Sequence, residues 1–218
     1  MKFKNIIFDF DGTLVDSKPG IIKTFKQIAE ELTTKKINEQ QITQLIGLPL
    51  SKFLGIILNT DDQAIINKGS ILFREYYSKD GINHNIVYSG IKEILIALKN
   101  SSYKLFIVSN RIEIFLKKIL EQHGLEKYFI FVRGTDGTDT QSKKADYVKN
   151  LMNKYQLNKK ETIIIGDTEG DILAGKENSI YSVGITWGYG TETDLVKAEA
   201  DAICHTPQEL QQFIEKQK

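Results

Sequence analysis

Residues 3–13 read Phe3-Lys4-Asn5-Ile6-Ile7-Phe8-Asp9-Phe10-Asp11-Gly12-Thr13. The stretch 3–10 is apolar, rich in β-branched and aromatic side chains, and stops at Asp-Gly, which predicts a buried strand entering a tight turn. That turn carries two carboxylates, Asp9 and Asp11. Along extended backbone a spacing of two aims both to one side, and Gly12 lets the chain turn sharply. Two carboxylates so close repel each other. Such a pair persists with a cation that prefers hard oxygen ligands, such as Mg²⁺, or with one carboxyl protonated; Asp-x-Asp-Gly alone also serves as a plain turn with an aspartate cap.

Beyond this turn the hydrophobic period changes to that of helices. Pro19 opens a pattern with Ile21, Ile22, Phe25, Ile28, Ala29 and Leu32 at steps of three and four. Short helical faces follow at Ile42, Leu45 and Ile46, over 53–58 and over 64–77, with no strand expected among them. After Tyr88-Ser89-Gly90 the rhythm alternates. A helix (Ile91, Ile94, Leu95, Leu98) leads to a strand over 104–108, then to a helix (Ile112, Phe115, Leu116, Ile119, Leu120) ending at Gly124. A short strand over 129–132, a helix after Ser142, a strand over 162–165, a helix beyond Asp171 and a strand over 181–185 continue it. Thr206-Pro207-Gln208-Glu209 has capping-box spacing with proline at the first helical position, predicting a terminal helix. The fold class is therefore α/β: a mostly parallel sheet with helices on both faces, interrupted by an all-helical insert. Residues 1–16 and 87–218 form the core and 17–86 the insert; 134–141 is a polar loop within the core.

Composition bounds the function. The 218 residues allow a sizeable buried core, and 41% hydrophobic with 26% charged residues and three prolines argue against disordered, collagen-like or disulfide-scaffold chains. Twenty-nine basic against 28 acidic residues give a net charge of +1, so no global field gathers a nucleic-acid polymer or a membrane surface. The single Cys204 fits a reducing compartment. Charges at Lys2, Lys4, Asp9 and Asp11 leave no apolar stretch for a signal peptide or span. These features predict a cytoplasmic protein; a monomer or homodimer is the expectation for its assembly.

Ligands of such folds bind beyond the carboxyl ends of the strands, so the residues there carry the chemistry. The second strand ends at Ser109-Asn110, a hydroxyl and an amide beside an expected helix N-terminus, where an anion is favoured and where Ser109 also reads as an ordinary cap. The fourth ends at Gly166-Asp167-Thr168-Glu169-Gly170-Asp171. If a helix starts there, Asp167 and Asp171 share a face, with helix capping as the alternative. Lys143 and Lys144 open a helix whose apolar face is Ala145, Val148, Leu151, Met152 and Tyr155. At ~100° per residue Lys144 falls nearer that face than Lys143. A cation is chemically needed among so many acids.

Together Asp9-Phe10-Asp11-Gly12-Thr13-Leu14-Val15-Asp16-Ser17, Ser109-Asn110, Lys144 and Gly166-Asp167-Thr168-Glu169-Gly170-Asp171 resemble the motifs of the haloacid dehalogenase-like hydrolase superfamily, in order and along the whole chain. The helical insert resembles the small cap of phosphoglycolate-phosphatase-like members. The resemblance implies a Rossmann-like core and Mg²⁺-dependent hydrolysis of a small phosphorylated metabolite through an aspartyl-phosphate. Dehalogenases of the superfamily lack the second aspartate of the first motif; Asp11 is present, which tells against dehalogenation. The resemblance makes Asp9 the nucleophile and a metal ligand. Asp11 becomes the general acid and base, ligating the metal through its carbonyl. Gly12, Ser109, Asn110 and Lys144 become phosphate holders, with Asp167 on the metal and Asp171 supporting it. Gly47 and Lys52, in Ile46-Gly47-Leu48-Pro49-Leu50-Ser51-Lys52, fall where some relatives place a loop over the leaving group; a helix–helix turn with a surface lysine reads equally well. Related functions of the same core are a sugar-phosphate mutase like β-phosphoglucomutase, a nucleotidase or pyrophosphatase, and a non-catalytic binding protein.

The third motif departs from the usual Lys-Pro, so Lys143 stays open as the phosphate lysine. Arg111, where relatives often carry another residue, reads either as reaching a substrate anion or as solvent-facing, the second being favoured. Gly170 to Lys176 mimics a phosphate-binding loop, but Glu177 stands where the hydroxyl belongs and a helix has already begun. Gly188-Tyr189-Gly190 lacks the third glycine of a dinucleotide fingerprint and reads as a loop; Trp187 and Tyr189 read as packing, within reach of the insert. His84, His123 and His205 have no partner at metal-ligand spacing.

Overall fold

The computed structural model describes residues 2–33, 37–136 and 143–217. The opening apolar run becomes β1 (Asn5–Phe8), and the chain turns through 9–14 into a short β2 (Val15–Asp16). Four helices follow, α1 (Lys18–Leu32), α2 (Glu39–Leu45), α3 (Leu50–Leu58) and α4 (Gln63–Lys79), and β3 (Ile86–Val87) closes the excursion by pairing antiparallel with β2. The alternating half runs α5 (Ile91–Asn100), β4 (Lys104–Ile112), α6 (Glu113–Gln122), β5 (Phe131–Thr135), α7 (Lys144–Tyr155) and β6 (Thr162–Gly166). It ends with α8 (Glu169–Asn178), β7 (Tyr181–Ile185), α9 (Glu192–Lys197), β8 (Ala202–Cys204) and α10 (Pro207–Glu215).

Six strands form one sheet in the order β5-β4-β1-β6-β7-β8, each pair parallel. The chain builds outward from β1 on one side through β4 and β5, then on the other through β6, β7 and β8. That reversal puts the carboxyl end of β1 at the crevice of the sheet. The period of two along each strand separates two cores. Ile6, Phe8, Leu105, Ile107, Ile163 and Ile165 face α5, α6 and α10, whereas Ile7, Phe106, Val108 and Ile164 face α7 and α8. Each fully buried side chain of this size contributes about 1.5–3 kcal/mol, which is what holds charged strand tips in fixed positions. The first core runs without a break into the insert, where Phe25 stacks on Phe53 at 4.0 Å and Phe73 and Tyr77 pack on Phe115 of α6.

Several expectations shift. The helical reading of the insert is right over its four helices, but the strand pair β2–β3 forms its base, two residues too short for periodicity to register. The strand expected over 104–108 continues to Ile112, because Ile112 pairs with Thr135 of β5 after a register irregularity beyond Val108. Ser109 and Asn110 thus sit on a bulged strand, and the helix N-terminus expected beside them comes only at Glu113. β5 starts two residues later than predicted, and α9 and β8 were not separated by the pattern. Gly134 and Thr135 of the expected polar loop close β5, while 137–141 and Ser142 lie outside the described residues. Thr206 caps α10 by accepting from Glu209 N at 3.1 Å, and Cys204 is buried in β8. Among the described residues no helix is long and apolar enough to cross a membrane.

Candidate active site

Asp9 follows the last residue of β1, its backbone N–H donating to Ile165 O at 2.8 Å. The next turn is wound tightly on Phe10 O, which accepts from the amides of Thr13, Leu14 and Val15. Gly12 makes it possible: its φ of +83° lies in the left-handed region, and a Cβ there would come within 2.2 Å of Asp167 Oδ2.

Asp9, Asp167 and Asp171 are buried and each offers a carboxylate oxygen within 4.8 Å of the others. Asp167 precedes α8 rather than sharing its face, and it is held from two sides: Thr13 Oγ1 donates to Oδ1 at 3.0 Å and Tyr189 N to Oδ2 at 2.8 Å. Asp171, at the third position of α8, realises both readings of its sequence. Its Oδ2 caps the helix by accepting from Thr168 N and Oγ1 at 3.1 and 2.7 Å, and its Oδ1 accepts from Lys144 Nζ at 2.6 Å. Lys144 also lies 2.7 Å from Asp9 Oδ1, an ion pair not aligned as a hydrogen bond. Of the two candidate lysines, Lys144 is buried in this cluster and Lys143 is exposed at the N-cap of α7.

The electrostatics are unbalanced. Burial and the charges of Asp171 and Asp167 push the Asp9 carboxyl well above its ordinary value despite Lys144. Burial and Asp171 push Asp167 up to about 7. For Lys144 burial opposes the charge, yet Asp171 and Asp9 outweigh it and hold its pKa above the usual lysine value. Three carboxylates against one ammonium, all buried, leave a deficit of two positive charges. Hard oxygen donors with that deficit fit a divalent cation such as Mg²⁺, which Asp9, Asp167 and Asp171 would hold.

Asp11 goes elsewhere. Its carboxylate is gripped by Arg111, whose Nε donates to Oδ1 and Oδ2 at 2.9 and 2.8 Å and whose Nη2 donates to Oδ1 at 2.5 Å. Arg111 is therefore not solvent-facing, as its sequence position suggested, but buried at 8% exposure. The β4 bulge re-aims it inward, where Nη1 donates to Tyr77 Oη at 2.6 Å and the guanidinium lies over the Phe10 and Tyr77 rings. Asp9, Asp11, Gly47, Ser109, Asn110 and Arg111 line one cleft, a cavity of about 50 Å³ whose far wall is apolar. Gly47, at φ +100°, turns the α2–α3 connection so that its carbonyl accepts from Asn110 Nδ2 at 2.7 Å, while Lys52 is exposed and does not line the cleft. Ser109 Oγ accepts from Arg111 N at 3.2 Å.

Three contributors were not singled out by the sequence. Thr13 stood inside the first motif without a role. Tyr77 looked like one more apolar residue of α4. Tyr189 had been read as packing; its hydroxyl accepts from Ser17 N and Lys18 N and donates to Asp16 Oδ1, tying the loop after β7 to the start of α1.

The geometry defines a class: a doubly wound α/β protein with a carboxylate centre, suited to a divalent cation and an anion, at the sheet's carboxyl edge. The chain belongs to the haloacid dehalogenase-like hydrolase family, whose model matches residues 6–185. It is 30% identical over 207 residues to the phosphoglycolate phosphatase of Photobacterium profundum, covering 92% of this chain and 90% of that protein. It is 25% identical over 217 residues to a 5'-nucleotidase of Pseudomonas aeruginosa, covering 99% and 97%. A crystal structure of a predicted phosphatase from Clostridium acetobutylicum matches with a TM-score of 0.93 at 28% identity, covering 99% of this chain and 100% of that one.

Proposed function

We propose that this protein is a phosphatase that hydrolyses a small soluble phosphate monoester through phosphorylation of Asp9, in the manner of phosphoglycolate phosphatases. The observation that carries the reading is the position of Asp9, buried between Lys144 and two further carboxylates and opening onto the cleft. Asp9 Oδ attacks phosphorus as the ester P–O bond breaks, and Asp11 gives its proton to the departing oxygen. Asp11 then takes a proton from the water that cleaves the aspartyl-phosphate, returning Asp9 as a carboxylate and releasing phosphate. Lys144, the Ser109 hydroxyl and the Asn110 amide hold the non-bridging oxygens and Asp171 fixes Lys144, whereas the Gly12 amide, expected among them, donates to Val15 O at 2.9 Å and serves the turn. When bound, Mg²⁺ offsets the repulsion between the phosphate and these carboxylates. Residues 17–86 act as a cap, with Gly47 placed to meet the leaving group, and the chain works as a cytoplasmic monomer or homodimer.

The test is Mg²⁺-dependent phosphate release from phosphoglycolate, sugar phosphates, nucleotides and pyrophosphate, with Asp9→Asn as control. Release that the control lacks is expected. No release from any ester would overturn the phosphatase reading, and isomerisation that depends on a bisphosphate would replace it with a mutase.

A further inference from the structure

We propose that Tyr189 is a positioning residue that couples the divalent-cation site to the insert: its main chain grips Asp167 and its phenol holds the start of α1, so that a cation on the carboxylates steadies one wall of the cleft. The proposal rests on the fit of Asp9, Asp167 and Asp171 to such a cation and is independent of turnover.

The loop after β7 carries Trp187-Gly188-Tyr189-Gly190 and lies against the carboxylate centre. Tyr189 N donates to Asp167 Oδ2 at 2.8 Å, and Trp187 Nε1 donates to Thr13 O at 3.0 Å. Thr13 in turn holds the other oxygen of Asp167 through its hydroxyl. A Cβ at Gly188 would lie 2.4 Å from Asp167 Cβ, and one at Gly190 would lie 1.9 Å from Asp167 O, so the loop backbone packs on Asp167 without slack.

The other end of Tyr189 is its hydroxyl, which accepts from Ser17 N at 2.8 Å and Lys18 N at 3.1 Å and donates to Asp16 Oδ1 at 2.9 Å. Here the chain leaves the core for the insert, and Asp16 pairs with Ile86 of the strand that returns. Ser17 is the N-cap of α1 but supplies no side-chain cap, so the phenol satisfies amides that the helix leaves open. One and two turns further along, Ile21 and Phe25 of the same helix line the cleft. A single planar side chain thus spans from a cation-binding carboxylate to the helix that walls the cleft. Three buried carboxylates facing one ammonium repel one another and loosen the hold on Asp167. A divalent cation removes that repulsion, which tightens the loop and, through the phenol, α1.

Trp187 is the only tryptophan of the chain, so its fluorescence reports the loop, while hydrogen exchange at the amides of 17–21 reports α1. In the native protein Mg²⁺ is expected to change the Trp187 emission. It should also slow exchange at 17–21 by at least about fivefold beyond any slowing in α10, the lower end of coupling between two sites. Tyr189→Phe keeps the main-chain bond to Asp167 and should keep the Trp187 response, but the extra slowing should vanish. Asp167→Asn leaves the phenol in place and should abolish the Mg²⁺ effect from the other end. The proposal is overturned by a native protein that binds Mg²⁺ without the extra slowing, or by slowing that survives in either variant. A Trp187 response lost in Tyr189→Phe would overturn it too, by showing that the residue maintains the cation site itself. A native protein that gives neither calorimetric heat nor a Trp187 response with Mg²⁺ would overturn the cation reading, and the coupling with it.

Discussion

The two sides of the site solve opposite electrostatic problems. On the β6–α7–α8 side, Asp9, Asp167 and Asp171 face one ammonium, and the excess negative charge shows in the raised Asp9 and Asp167 carboxyls. On the β4–α4 side, Asp11 and Arg111 are matched one to one, and the guanidinium is held charged by Asp11 and Tyr77 against the cost of burial. The first wall is incomplete until a cation arrives. The second is complete as it stands.

The sharpest break is on the acidic wall. Asp9→Asn keeps volume and removes the nucleophilic charge, so phosphate release should fall by at least ~10⁴-fold with an unchanged circular dichroism spectrum. Retained turnover would remove Asp9 from its role. Lys144→Met leaves the acidic wall without its internal cation. Breaking a buried pair from one side costs about 3–5 kcal/mol, and added Mg²⁺ should recover part of it in thermal denaturation, whereas a loss insensitive to Mg²⁺ would show that Lys144 serves packing alone.

The same wall should respond to pH. Asp167 titrates near 7 when folded and near 3.8 otherwise, so the metal-free folded state holds more protons and loses stability as pH rises through that window. Mg²⁺ must displace that proton, so its apparent affinity should fall by up to ~10-fold per pH unit below 7. A flat profile from pH 5 to 8, read as Mg²⁺-induced thermal shift, would contradict the imbalance. The smallest effect expected is at the junction of core and insert. Tyr189→Phe leaves the first amides of α1 without their phenol partner, a loss of ~1–2 kcal/mol that calorimetry would register as a few degrees.

Legibility in the sequence followed the same division. The acidic side is built from residues adjacent to strands that read clearly: Asp9 follows from the strand before it and Lys144 is favoured over Lys143 by its helix face, whereas Asp167, expected on a face shared with Asp171, precedes α8. The second wall depends on one irregularity. Ser109-Asn110-Arg111 reads as a polar loop leading to a helix, and only pairing with β5 keeps it extended through a bulge that turns Arg111 inward. Tyr77 is invisible for a related reason: on α4 it fits the apolar stripe, and its hydroxyl gains meaning from Arg111, 34 positions away, and from Asn85, to which it donates at 3.1 Å. β2 and β3 are too short to leave a periodic trace.

The aromatic contacts at the junction pack the insert and the core as one unit. Phe25, Phe53, Phe73 and Tyr77 reach Phe115 of α6, four residues beyond Arg111, through rings in mutual contact. The insert and the core therefore share one aromatic cluster, and a change in any one of these rings is felt on both sides of their junction.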